Sequence, residues 1–285
     1  MQKSLWRLSA LVALLLAFTP VAATQWPKTD IPPDPAVRQG VLPNGMRYAI
    51  LKNGTPSGAV SVRFNVAVGS TYEEPSQRGF SHFVEHMTFR GSKNFPDGEL
   101  NRTLERLGLR FGADTNASTG QDMTSYMFNL PDAKGLDEAL AISRDIAGNV
   151  SFEPGAVENE AGVVMSESQL RGDPGRRAGT AELQFELSDP RAAATPGAEP
   201  SIIQHPSAPA LLDYYRLWYR PERAVLTVVG DVDPDKLAKD IAARFADWKG
   251  VGQGASDPVF KVPTDRGLKA HIHTEAGAPA RMVLT

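Results

Sequence analysis

Gly79-Phe80-Ser81-His82-Phe83-Val84-Glu85-His86-Met87 carries the order H-x-x-E-H, the inverse of the zinc-binding signature H-E-x-x-H. The apolar Phe80, Phe83, Val84 and Met87, with Gly91 as a breaker, predict a helix over residues 78–89. On that helix His82 and His86 stand at i and i+4, one above the other on a single face. Two imidazoles so stacked can bind one Zn²⁺ through ring nitrogens at about 2.0–2.1 Å. Glu85 flanks the same face without having to be a ligand, which is where a general base for an attacking water belongs. A competing reading makes the three residues a partly buried polar face with internal hydrogen bonds. Two of only five histidines fall in the pattern, and the chain has no cysteine with which to close a structural zinc site. A metal held here would keep an open position.

Residues 1–23 read as a secretory signal: Lys3 and Arg7, then an apolar core from Leu8 to Phe18, then Pro20-Val21-Ala22-Ala23 as a cleavage point. The apolar run is too short to span a bilayer, so no stable membrane insertion is expected once it is removed. Its loss takes the net charge from −3 to −5, and without a basic surplus nucleic acid is excluded as a partner. An exported, cysteine-free chain, periplasmic or secreted, must draw its stability from core packing and not from disulfides.

Residues 24–39, with Pro27, Pro32, Pro33 and Pro35, read as an extended leader. A hairpin is expected over Gly40–Leu51, turning at Pro43-Asn44-Gly45, and a half-buried strand over Ala59–Val68, where Val60, Val62, Phe64 and Val66 alternate with polar residues. A second helix begins near Glu99 and stops at Gly108. Strands are expected over Phe111–Thr115 and Thr124–Leu130, then a helix over Ala133–Ile146.

Glu153-Pro154 opens a further helix on which Val157, Glu160, Val164 and Glu167 share one face. Carboxylates on a valine-bearing stripe are costly unless paired or metal-bound, so one of the two is a candidate third ligand; a solvated acidic face is the other reading. Residues 173–200 read as loops around a short helix, Thr180–Leu187. A helix over Ala208–Tyr219 precedes a buried strand, Ala224–Val229, and Asp233-Pro234 caps a helix running to Phe245. His271 and His273 read as surface strand residues. The expected organisation is a domain over 40–248, a linker over 249–267 and the start of a second domain over 268–285, ending in the apolar run Arg281–Thr285.

The stretch His82–Gly91 resembles the core of the pitrilysin/insulinase family of inverted zinc peptidases, which includes the mitochondrial processing peptidase. The resemblance continues through Leu104–Gly108, Asn116–Thr119, Thr124–Tyr126, Glu160–Glu167, Trp218–Pro221 and Val228–Asp231. It implies an α+β fold, a largely antiparallel sheet with helices packed on one face. It implies Zn²⁺ as cofactor, His82, His86 and Glu167 as ligands, Glu85 as catalytic base and Glu160 as an assisting carboxylate. Asn116 and Ala117 match the edge strand that binds an extended peptide substrate by adding it to the sheet. Family domains pair as a clamshell, so a second half of the same chain or a partner subunit is implied as well. Ala161 departs from the pattern, which often has arginine after the first glutamate. The function implied is a zinc endopeptidase acting on unfolded peptides or small proteins. The alternative is a non-catalytic peptide-binding or scaffold member of the same family.

Overall fold

Strict alternation of side chains in three strands decides which face of the sheet is covered. In β3, β5 and β6 every odd position of the pattern is buried and every even one is half-exposed. The computed structural model describes Trp26 and residues 29–171, 173–197, 199–261, 263–264 and 267–277. The expected signal segment and the closing run Arg281–Thr285 lie outside the described residues.

The strands are β1 (Val37–Val41), β2 (Arg47–Lys52), β3 (Val60–Val66), β4 (Thr115–Thr119), β5 (Thr124–Leu130) and β6 (Ala224–Gly230). They form one sheet in the order β1-β2-β6-β3-β5-β4, antiparallel at every pairing except β2 with β6. The helices are α1 (Phe80–Met87), α2 (Glu99–Arg106), α3 (Leu136–Gly148), α4 (Pro154–Arg171), α5 (Pro174–Leu187), α6 (Pro200–Ile203), α7 (Ala208–Trp218) and α8 (Pro234–Phe245). The α+β expectation therefore holds, with helices on one face.

On the covered face Ile50, Val62, Phe64, Tyr126, Phe128, Leu226 and Val228 are fully buried. Phe64 packs 6.3 Å from the Phe245 ring at the end of α8 and 6.1 Å from Trp248 just beyond it. The opposite face is polar at its centre, where Arg63 Nη1 donates to Asn129 Oδ1 at 3.0 Å and Ser61 Oγ at 2.8 Å. β6 lies inside the sheet, yet Val225, Thr227 and Val229 remain half-exposed, so it is buried on one face only.

The first hairpin turns at Pro43-Asn44-Gly45, where Gly45 takes φ 92°. Asn44 Nδ2 donates to the carbonyls of Phe245 and Trp248 at 2.7 and 3.0 Å, tying the turn to the end of α8. β1 begins at Val37, inside the segment expected to be leader. The other correction concerns Phe111–Thr115, which is not a strand. Gly112 at φ 88° and the bond from its N–H to the Thr115 carbonyl make a turn there, and Asp114 accepts from Arg110 N. The strand starts only at Thr115, and it is one of the two edges of the sheet, opposite β1. α5 is also longer than expected, because Asp173 caps it through Arg176 N, well before Thr180. Asp233 caps α8 by accepting from Asp235 N and Lys236 N. No helix or strand follows α8 among the described residues.

Candidate metal centre

The local sequence builds α1 as a short, almost wholly buried helix. Phe80, Phe83, Val84 and Met87 point into the core, and His82 and Glu85 are 2 % and 8 % exposed. Burying those two polar side chains is costly without partners, and each has them. α4 crosses α1, and its face bearing Val157, Glu160, Val164 and Glu167 is the one turned inward. Val157, Glu160 and Val164 are buried.

His82 Nε2 lies 3.2 Å from His86 Nε2. Glu167 Oε2 lies 3.0 Å from His86 Nε2 and 3.7 Å from His82 Nε2. Ligand atoms of these three residues fall within 4.8 Å of one another. Glu160 is on the other side of His86, its Oε1 2.8 Å from Nδ1, and its Oε2 is 3.4 Å from Arg90 Nε. Arg90, just past α1, is thus ion-paired with Glu160. Glu85 does not join the three. Its Oε2 accepts a 2.5 Å hydrogen bond from Thr119 Oγ1 at the end of β4.

The donor set fits zinc on its own chemistry. Four ligands at about 2.0–2.1 Å in a tetrahedron stand roughly 3.3 Å apart, and the three separations here bracket that value. With Nδ1–H of His86 donated to the Glu160 carboxylate, Nε2 presents a lone pair to the Glu167 oxygen. Two such acceptors at 3.0 Å repel unless a cation lies between them. A proton can serve one pair of these atoms, whereas a metal ion serves all three. The electrostatics run the same way. Burial works against charge on His86, yet the Glu160 hydrogen bond and the carboxylates of Glu85, Glu160 and Glu167 hold its imidazole above the ordinary histidine value.

The surroundings orient the centre. Tyr126 on β5 and Tyr219 after α7 join hydroxyls at 2.6 Å, and burial, with Glu85 nearby, pushes both phenols well up and keeps them neutral. Glu167 is 30 % exposed at its side chain, against 3 % for His82, so the group opens on the Glu167 side. A cavity of about 390 Å³ adjoins the group at His82, lined also by Ser168, Arg176, Thr180 and Gln184.

Asn116 and Ala117 sit in β4, half-buried, and Asn116 Oδ1 accepts from the Ala117 N–H at 2.9 Å. Neither is part of the group around His86. Their strand reaches Glu85 through Thr119, a residue for which the sequence suggested no role. Its only signal was a place at the end of a short polar strand. Glu73 also escaped notice. It is buried, and its two oxygens accept from Gly79 N and Ser81 N at 2.9 and 2.8 Å, at the start of α1.

Glu160 gives a direct check on this arrangement. Glu160→Gln keeps the shape but replaces the acceptor that fixes the His86 tautomer with an amide. Zinc affinity is expected to fall by about 10–100-fold, measured by competition with a calibrated chelator. An unchanged affinity would mean that the bond to Nδ1 does not orient the imidazole.

Comparison with known proteins shows which family the chain is similar to. Residues 48–171 match the sequence profile described as "Insulinase (Peptidase family M16)", and residues 207–284 match that described as "Peptidase M16 inactive domain". The probable zinc protease PqqL of Haemophilus influenzae is 35 % identical over 216 residues, 75 % of this chain and 23 % of the relative. The crystal structure of the periplasmic protease PqqL from Escherichia coli superposes with a TM-score of 0.76 at 30 % identity, covering 82 % of this chain and 26 % of that one. A mutant of the ferredoxin protease FusC, in complex with Arabidopsis ferredoxin, gives 0.73 at 27 % identity, covering 80 % of this chain and 25 % of that one. The chain thus spans about a quarter of the length of these relatives. An inverted metal motif on a buried helix, a mixed six-stranded sheet and two matching profiles lead to one conclusion: the chain belongs to the insulinase family of peptidases, M16.

Proposed function

We propose that this chain carries the catalytic centre of a zinc endopeptidase. The observation that carries the reading is the convergence of His82 Nε2, His86 Nε2 and Glu167 Oε2 at 3.0–3.7 Å, with a carboxylate, Glu85, beside them but outside the set. His82, His86 and Glu167 would hold the ion. Zinc so held supplies Lewis acidity, polarising a scissile carbonyl and making water a better nucleophile. Glu85 takes the proton from the attacking water and returns it to the leaving amine, with Thr119 Oγ1 holding the carboxylate in place. Glu160 fixes the tautomer of His86.

The open edge of β4 favours an extended peptide backbone as substrate, since unpaired strand groups there end beside Glu85. The complex of FusC with a ferredoxin shows that relative bound to a protein, which supports peptide or protein substrates here. The cavity beside His82 has room for one substrate side chain. For location we propose export to the periplasm, supported by the reading of residues 1–23 and by the description of PqqL from Escherichia coli as periplasmic. No helix among the described residues is long and apolar enough to cross a membrane. We also propose the division into a domain over 40–248 and a linker over 249–267; the absence of helix and strand in the described residues after Phe245 supports it.

A second reading, a non-catalytic peptide-binding or scaffold member, draws support from the match of residues 207–284 to the inactive-domain profile. The two readings differ in one experiment. The full chain with one zinc per molecule is expected to cleave an unfolded peptide, to lose that activity to a chelator, and to regain it on adding zinc. Peptide binding without cleavage at full zinc occupancy selects the scaffold reading.

A further inference from the structure

α1 has no side-chain cap of its own. Its N-cap is Gly79, at φ 99°, and the helix starts inside the core, where unsatisfied N–H groups are costly. Glu73, upstream of the helix, meets that need with both oxygens, one on Gly79 N and one on Ser81 N. Ser81 is further held by Tyr214 on α7, Oγ to hydroxyl at 2.7 Å. The segment that delivers Glu73 is itself fastened to the turn between β4 and β5. Ser70 N donates to the Gly120 carbonyl at 3.2 Å, and Thr71 gives the Gln121 carbonyl two bonds, from N at 2.9 Å and from Oγ1 at 2.7 Å. Gly69 is needed for that approach, because a Cβ there would lie 2.3 Å from the Gly120 oxygen.

This makes one hydrogen-bonded path. It runs from the β4–β5 turn through residues 69–73 and the Glu73 carboxylate into the first turn of α1. Where the same turn begins, Thr119, the residue before Gly120, bonds Glu85. We propose that Glu73 is a positioning residue that sets the axial register of α1 against the edge strand β4, and so places His82, Glu85 and His86 relative to metal and substrate. The proposal rests on the zinc-peptidase reading above. A buried carboxylate is an expensive way to cap a helix, and burial pushes the Glu73 carboxyl up to about 7 despite the two N–H groups and Arg78 nearby. A serine or aspartate at the N-cap would satisfy the same donors more cheaply but would bond only within its own helix. Glu73 instead ties α1 to a different element.

The test uses the full chain and begins with a zinc titration of the unaltered protein. Failure to take up zinc there removes the metal reading and the role of Glu73 with it. Given uptake, Glu73→Gln, an isostere with one acceptor oxygen, is expected to weaken zinc binding by on the order of tenfold. It is also expected to lower kcat per zinc-loaded molecule while leaving KM within about twofold, because the groups displaced act on the reacting atoms. The gain in Tm on adding zinc shrinks accordingly. A merely structural role would lower the melting points of the metal-free and zinc-loaded forms equally, with zinc affinity and kcat per zinc unchanged; that result overturns the proposal. If the variant does not fold, amide exchange on the unaltered protein decides. The Gly79 and Ser81 amides are expected to exchange more slowly once zinc is bound, and equal rates with and without zinc overturn the proposal.

Discussion

Glu85→Gln is expected to retain zinc near one equivalent per chain while reducing peptide hydrolysis by on the order of a thousandfold or more, since positioned proton transfer contributes about 10²–10⁴-fold. The geometry separates the two properties. Glu85 points at Thr119 and lies outside the three residues whose ligand atoms converge, so its charge is not needed to hold the ion. In the proposed mechanism it is the carboxylate beside the site that receives the proton water must lose. An amide of the same shape accepts a hydrogen bond but not that proton. Metal analysis of the purified full chain, with cleavage of an unfolded peptide at saturating zinc, checks both halves of the expectation. Turnover at the unaltered rate would show that Glu85 is not the base, whereas loss of zinc would make it a ligand.

The second large effect is loss of the metal itself. His82→Ala and Glu167→Ala each delete one of the three proposed ligands. Structural zinc sites with four ligands bind with about 10–16 kcal/mol, or roughly 3 kcal/mol per ligand, so each deletion should weaken zinc binding by on the order of a hundredfold or more. Glu167→Ala tests the assignment most directly, because Glu160 lies on the same helix face and is more deeply buried. Zinc affinity by chelator competition is expected to rank the variants, with Glu160→Gln the milder. The opposite order would exchange the roles of the two glutamates. Hydrolysis at limiting zinc is expected to fall in parallel.

These expectations separate what a linear reading could carry from what it could not. The stacking of His82 and His86, and the flank position of Glu85, follow from 3.6 residues per turn and were legible in one short stretch. Alternation in β3 and β5 and the Asp233-Pro234 cap of α8 were legible for the same reason, since periods and caps are local. The pairing of Glu160 with Glu167 was visible in their spacing, whereas their division of labour was implied only by the family resemblance and not by that spacing. Two turns apart they occupy one face, and only the crossing of α4 over α1 sets Glu160 against Nδ1 of His86 and Glu167 against Nε2. The strand at Thr115–Thr119 was misplaced because Gly112 and Asp114 form a turn that hydrophobic period does not register. Thr119 and Glu73 were invisible as partners of the site, as each reaches it across a chain reversal. Sequence by itself determined the ligand helix, because its chemistry repeats along one local axis. Tertiary structure decided where Glu167 and Glu160 stand around His86 and how α1 is anchored, because those depend on distances between elements that no local spacing encodes.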